Sequence, residues 1–459
     1  MPRSHRTARA FSRPKVFRLE ALEGRALLST LPTSVPHLAM TPPSAHVAHH
    51  GAHHLAPSHP HAAHKSSPVA SMKVAHPMLI RIDGFTSDDP TTTPSAGGSP
   101  PAGALTPAQA RNIYGFTAIP NLGAGQTIAI VDAYNQPNIY GDANVFDQTF
   151  TTTLGGTTSY YSAYGSAGTG PTSPGWLKQV SQTGSATSLP NNNTGWGQEI
   201  SLDVEWAHAI APKATILLVE AKSASFADLL AADDYAATQA NVVSNSWGGG
   251  ESASIITYDA HFTKPGVTFV FSAGDSGNQS YPSTSPNVVS VGGTTLSHDS
   301  SFNWTGESGW SSGGGGVSAY EPKPTYQSSL SYANRATPDL SYDSDPNTGF
   351  AVYDTYGSSR RTPAWAQFGG TSDAAPQIAA LIALADETRG TGRSLDGVSQ
   401  TLPTIYGMTT GTSSAGGYAL YDVTTGSNAV GSAGPGYDLV TGRGTPRFAN
   451  VTYLAFVNA

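Results

Sequence analysis

Five short apolar runs, each of buried-strand length, constrain this chain more than any other feature. They are Thr127–Asp132, Ala214–Val219, Asn241–Ser244, Val267–Phe271 and Val288–Val291. Strands that are apolar on both faces need cover on both faces. Helical patterns supply it at 197–210, 225–239 and 374–388. Apolar strands alternating with helices predict an α/β fold with a mostly parallel sheet between two helical layers. The stretch 105–114 adds a short helix, with Thr106 as N-cap and Pro107 at the first helical position. From 293 to 362 the chain is rich in Gly, Ser and Tyr and reads as long loops with short strands. There is no internal repeat.

The order predicted for this body starts near Ala104. Residues 31–103 are dominated by Pro, Ser, Ala, His and Gly without hydrophobic periodicity, and they read as a disordered linker. Eleven of the 14 histidines precede residue 104. The cluster His46, His49, His50, His53, His54, His59, His61 and His64 could hold a transition metal. It could equally be a tether that becomes cationic below pH ~6.5. Residues 1–30 are basic, with no apolar stretch of signal-peptide type. Arg18–Ser29 resembles the LEPR-XLL motif of some bacterial surface and exported proteins.

Charge narrows the function further. Residues 1–103 carry 10 Lys/Arg and 5 Asp/Glu, whereas 104–459 carry 13 and 26. A body with a net charge of −13 speaks against nucleic-acid binding. Only 12% of residues are charged, so few paired carboxylates stand to be protonated in acid. There is no cysteine, which excludes disulfides, zinc thiolates and a cysteine nucleophile. No apolar run reaches transmembrane length.

Three segments carry chemistry. Gly370-Thr-Ser-Asp-Ala-Ala-Pro376 is a small-residue turn feeding a long apolar helix. Ser372 then sits at a helix N-terminus, which favours developing negative charge, with Pro376 in the first turn. The same pattern fits a plain Ser N-cap. In Gly197-Gln-Glu-Ile-Ser-Leu-Asp203, helical spacing puts Glu199 and Asp203 on one face. Two such acids share a proton, or they are simply solvated. Glu205 lies about 200° from Asp203 around the same helix and reads as exposed. In Phe271-Ser-Ala-Gly-Asp-Ser-Gly277 a strand runs into a turn bearing Asp275. That is where parallel sheets place catalytic groups, and also where an ordinary Asp turn occurs.

Together these segments resemble the sedolisin family of serine-carboxyl peptidases. Its signature sets Gly-Thr-Ser-x-x-x-Pro beside Glu-x-x-x-Asp and Ser-Gly-Asp-Ser-Gly. Further likeness lies in Ser244-Asn-Ser-Trp-Gly248, Tyr281-Pro-Ser, Val291-Gly-Gly-Thr294 and Ala433-Gly-Pro-Gly-Tyr-Asp438. Ala273 departs from the pattern, where Ser is usual. The likeness covers residues 104–459. It implies a subtilisin-like fold and an acid-active peptidase with Ser372 as nucleophile. Glu199 would be its base, Asp203 would orient Glu199, and Asp275 would serve the oxyanion. It also implies a calcium ion held by Asp422, Val423, Gly434, Gly436 and Asp438. The expected setting is extracellular or cell-surface, with a monomer acting on protein or peptide substrates.

Two rivals stand beside this reading. One is a non-catalytic surface module on the same fold. The other is a histidine-dependent subtilase using Asp132 at the end of the first body strand. The body offers only His208, His261 and His298 for that role, none at a His-Gly-Thr helix start.

Overall fold

The computed structural model describes residues 74–82, 98–358 and 364–459. Two short strands come first, β1 (His76–Pro77) and β2 (Ile80–Ile82), then helix α1 (Pro107–Ile113). The alternating body follows as β3 (Thr127–Ala133), α2 (Ile139–Thr149), α3 (Tyr160–Tyr164), β4 (Leu177–Ser181), α4 (Thr194–Ile210), β5 (Thr215–Ala221) and α5 (Phe226–Ala236). It continues with β6 (Val242–Asn245), β7 (Trp247–Gly248), β8 (Thr268–Ser272) and β9 (Val289–His298). Short strands β10 (Trp304–Gly309), β11 (Gly316–Pro322), β12 (Asn334–Thr337), β13 (Leu340–Asp343), β14 (Phe350–Tyr353) and β15 (Trp365–Gly369) lead into helix α6 (Thr371–Arg389). Helices α7 (Leu402–Gly407) and α8 (Ala449–Val457) follow.

The main sheet has eight strands in the order β10-β9-β8-β6-β3-β5-β4, with β13 also on β9. All its pairings are parallel except β10 with β9. The period of two explains the double burial. Ile128 and Ile130 of β3 enter one core cluster, while Ala129 and Val131 enter the other. Helices α4 and α6 cover the first face and α5 the second. Helix α6 is buried on every side from Thr371 to Asp386, as its unbroken apolar run requires. Thr106 and Gln109 form the reciprocal capping box that opens α1.

One part of the linker reading needs correction. Residues 74–82 fall inside 31–103, yet β1 pairs with β7 and β2 with β15. These strands take their order from the partner edges rather than from any period of their own. The basic segment 1–30 and the histidine cluster 46–64 lie outside the described residues.

Candidate active site

Strand β3 lies between β5 and β6, so the sheet is wound in opposite directions on its two sides. A cleft forms at such a reversal, outside the carboxyl ends of the strands. Asp132 lies near the end of β3, Ser246 follows β6 and Asp275 comes three residues after β8.

The turn that leads into Ser372 is built around Gly370. Its φ is +111°, and a Cβ there would sit 2.4 Å from the Met78 carbonyl oxygen and 2.6 Å from Asp275 Oδ2. Only glycine fits. Thr371 then donates its N–H and its hydroxyl to Asp275 Oδ1, both at 2.8 Å. This bracket fixes Asp275 against the start of α6. Ser372 is the second residue of that helix and is buried, and its Oγ has no partner at hydrogen-bond distance and angle. Pro376 is the sixth helical residue rather than part of the first turn, because α6 begins at Thr371. Its ring withholds the N–H that the Ser372 carbonyl would otherwise accept.

Glu199 and Asp203 sit one turn apart on α4, both fully buried. The Asn193 side chain caps this helix by accepting the Trp196 N–H at 3.1 Å. Asp203 Oδ1 accepts a hydrogen bond from Ser246 Oγ at 2.9 Å. Both Glu199 oxygens and Asp203 Oδ2 are buried without a full hydrogen bond. The Ser372 hydroxyl still lies near enough to Glu199 to favour its ionised form. Burial pushes Glu199 well above the usual carboxyl range, and the charges of Asp203 and Asp132 push it further. Asp203 is raised for the same reasons, burial first and then Asp132. Such a pair titrates as a unit.

Asp275 is partly exposed as a residue, but its Oδ2 is sheltered from water and has no hydrogen-bond partner. Burial of the carboxyl raises it to about 7, against the lowering effect of Thr371. It is therefore a neutral acid at mildly acid pH. Asp132 is raised by burial to about 8, and Asp373 is also raised, by burial first and then by Asp343 and Asp275. The spacing of single motifs does not reveal this wider group of acids. Ser246, which bonds Asp203, and Thr371, which bonds Asp275, are visible only as parts of quoted motifs.

The three histidines of the body are engaged elsewhere. His208 is buried 3.2 Å from Asp147 Oδ2 and stacks on Trp176. His261 meets Asp234, and His298 meets the Asp299 carbonyl. Glu205 corrects the reading of an exposed acid. It is 1% exposed and accepts the Tyr353 N–H at 3.0 Å, because the far side of α4 packs on β14.

The five residues expected at a cation site gather in one loop. Asp422 Oδ2 accepts the Gly436 N–H at 2.9 Å, and Asp438 Oδ2 accepts the Gly434 N–H at 3.0 Å. The Val423 carbonyl accepts the Thr441 hydroxyl at 3.4 Å. Asp422 Oδ1 is buried with no partner. Among the described residues no group of three or more His, Asp or Glu side chains could hold a metal. A cation here would need backbone carbonyls to complete its shell.

Comparison with known proteins agrees with this architecture. Kumamolisin of Bacillus sp. (strain MN-32) is 31% identical over 305 residues, which is 58% of this chain and 51% of kumamolisin. Sedolisin of Pseudomonas sp. (strain 101) is 32% identical over 218 residues, 41% of this chain and 34% of that protein. Human tripeptidyl-peptidase 1 is 32% identical over 224 residues, 40% of this chain and 36% of that protein. The chain thus spans about half or less of these curated relatives. A solved structure of Pseudomonas sedolisin, a serine-carboxyl proteinase complexed with two molecules of pseudo-iodotyrostatin, superposes with a TM-score of 0.61 at 24% identity. It covers 78% of this chain and 98% of that one, and it shows the shared fold. The sequence model of the subtilase family matches residues 181–416, slightly over half of the chain. By that match, on a subtilisin-like fold, the chain belongs to the subtilase family.

Proposed function

We propose that this chain is an acid-active serine-carboxyl peptidase that cuts peptide bonds through an acyl-enzyme. One observation carries the reading: a serine hydroxyl, a pair of buried acids and a third, proton-holding acid share one sheltered place, with none of the body histidines His208, His261 and His298 among them. The sedolisin-like relatives support it.

In this scheme Glu199 takes the Ser372 Oγ proton as the oxygen attacks the peptide carbonyl. Asp203 holds Glu199 and shares its proton, and Ser246 holds Asp203. The oxyanion is met by the Ser372 N–H and by the protonated Asp275. An ionised Asp275 would repel that charge, so the reaction needs the neutral acid. Since Asp275 titrates at about 7, turnover should fall as pH rises through that value. Digestion of a denatured protein between pH 3 and 8 tests this. A maximum above pH 7 would contradict it.

Asp275 also allows a sharper test. Asp275→Ala removes one oxyanion donor and should cost about 10²–10³ in kcat. Asp275→Asn keeps a neutral donor, so its rate should no longer fall through pH 7. A variant whose alkaline limb stays put would point to another group.

A calcium ion at Asp422, Val423, Gly434, Gly436 and Asp438 belongs to the same proposal. Carboxylate and carbonyl oxygens suit it, and the unpartnered Asp422 Oδ1 fits a ligand. A bound ion would stabilise the fold by about 2.7 kcal/mol at a hundredfold excess over Kd. Tm should therefore fall in chelator and recover with added calcium, and Asp422→Asn should remove this response. An unchanged Tm in chelator argues the site away. We further propose that the protein works outside the cell or at its surface. Among the described residues no helix is long and apolar enough to cross a membrane.

A further inference from the structure

We infer that a groove at the carboxyl ends of β3, β4 and β5 is a binding site for a neutral oligosaccharide. This site goes beyond the peptidase reading and does not depend on it.

The groove consists of two depressions that share Leu189 as a wall. The larger, of about 550 Å³, opens over Asn135, Asn138, Tyr140, Gln179 and Thr355. The smaller, of about 380 Å³, is lined by Ser181, Gln182, Ser188 and Asn191. Each is large enough for a small ligand. Two adjoining depressions suit a ligand built of linked units.

Side-chain amides and hydroxyls dominate the lining. Its two charged residues, Asp142 and Lys222, stand one in each depression. The Asp142 carboxyl is already engaged. It accepts the Thr355 N–H at 3.0 Å, the Thr355 hydroxyl at 2.7 Å and Gln136 Nε2 at 2.8 Å. A charged ligand thus meets no cluster of opposite charge. An apolar ligand would strip water from amides that it cannot bond. A saccharide offers hydroxyls on its rim and C–H faces that pack on a ring. Amides, hydroxyls and the Tyr140 ring match both.

The polar groups are held in place. Asn135 Nδ2 donates to Asn192 Oδ1 at 2.6 Å, and Gln179 Nε2 donates to Asn135 Oδ1 and to Glu220 Oε1, both at 2.8 Å. Asn138 Nδ2 donates to Thr355 Oγ1 at 2.9 Å. Side chains fixed in this way lose little freedom when a ligand arrives. Tyr140 differs from them. It is 7% exposed, and its hydroxyl, which the Gln179 amide approaches, completes no hydrogen bond among the described residues. A buried hydroxyl in the wall of a polar cavity calls for a partner, and a sugar hydroxyl supplies one. The mouth is open as well. A Cβ at Gly141 or Gly170, both in the lining of the larger depression, would meet nothing within 4 Å.

Calorimetric titration of the full-length Ser372→Ala chain at pH 4 tests the site, with mannotriose, cellotriose and triacetylchitotriose as probes. At least one should bind with a Kd of about 1 mM or tighter. Gly141→Trp puts an indole into the open mouth from a helical position and should weaken that binding about tenfold or more. Tyr140→Phe deletes only the hydroxyl and should weaken it about threefold or more. If none of the three binds, or if both variants bind as the parent does, the inference falls. Reduced and alkylated ribonucleases A and B, one polypeptide without and with a mannose-rich glycan, separate the sources of the sugar. Faster cleavage of ribonuclease B by the active chain, with the preference lost in Gly141→Trp, assigns the sugar to the substrate. Equal rates beside triose binding assign it to a free polysaccharide. If neither ribonuclease is cut, the peptidase reading falls, and the titration still decides this site.

Discussion

Ser372→Ala should lower kcat on a denatured protein by about 10⁶, the loss seen when a serine peptidase gives up its nucleophile. The fold should not notice. The hydroxyl removed is fully buried and has no complete hydrogen bond. Losing an unsatisfied buried polar group is neutral or mildly stabilising. What positions the turn stays behind: Gly370 keeps its φ of +111°, and Thr371 keeps both bonds to Asp275. Glu199→Gln keeps the volume of the base but cannot take a proton, and it should be nearly as damaging. The double variant should then be no worse than Ser372→Ala alone, because members of one catalytic unit do not lose independently. Single-turnover kinetics at pH 4 on all three variants checks this. A Ser372→Ala enzyme within tenfold of wild type would remove serine chemistry from the account.

The main sheet is legible in the sequence because both of its faces are covered. The runs behind β3, β5, β6, β8 and β9 put apolar residues on both faces of the strand, and little else in a chain this polar looks like them. β4 escapes the same test. Leu177–Ser181 sits at the edge of the sheet, buried only at alternate positions, and its Lys178 and Gln179 mask the pattern. Helix α2 hides for a related reason, since Gly141, Asp142 and Asp147 interrupt its apolar stripe. The site is readable where each residue stands in its own motif, as for Ser372, Glu199, Asp203 and Asp275, which the structure brings together. It is unreadable where partners arrive from afar. Nothing near Glu205 announces the Tyr353 N–H that meets it, 148 residues away. Nothing in Ala75–Ile82 announces a strand, because its order depends on the edges of β7 and β15.

The fold itself should be strongest in acid. Many buried carboxyls here meet no cation; the buried Arg335–Asp339 pair, with contacts of 2.6 and 2.7 Å, is an exception among the described residues. Burial raises Asp354 to about 6, Asp275 and Asp386 to about 7, and Asp132 and Glu220 to about 8. In the unfolded chain all five return to roughly 4. Between pH ~4 and those raised values the folded state therefore holds protons that the unfolded state has released. Stability falls as pH rises across that interval, and this contribution is gone above about 8. One group raised by three units carries about 4 kcal/mol. The lowered carboxyls Asp228, Asp299 and Asp396 pull the other way, but Asp299 is exposed and Asp228 and Asp396 are only partly buried, so solvent screens them. With each kcal/mol worth about 2 °C or more, Tm should drop by over about 10 °C between pH 4 and 8.5. Calorimetry on the Ser372→Ala variant avoids self-digestion, and a Tm that holds or climbs over that range would mean that the buried acids are ionised in the folded protein.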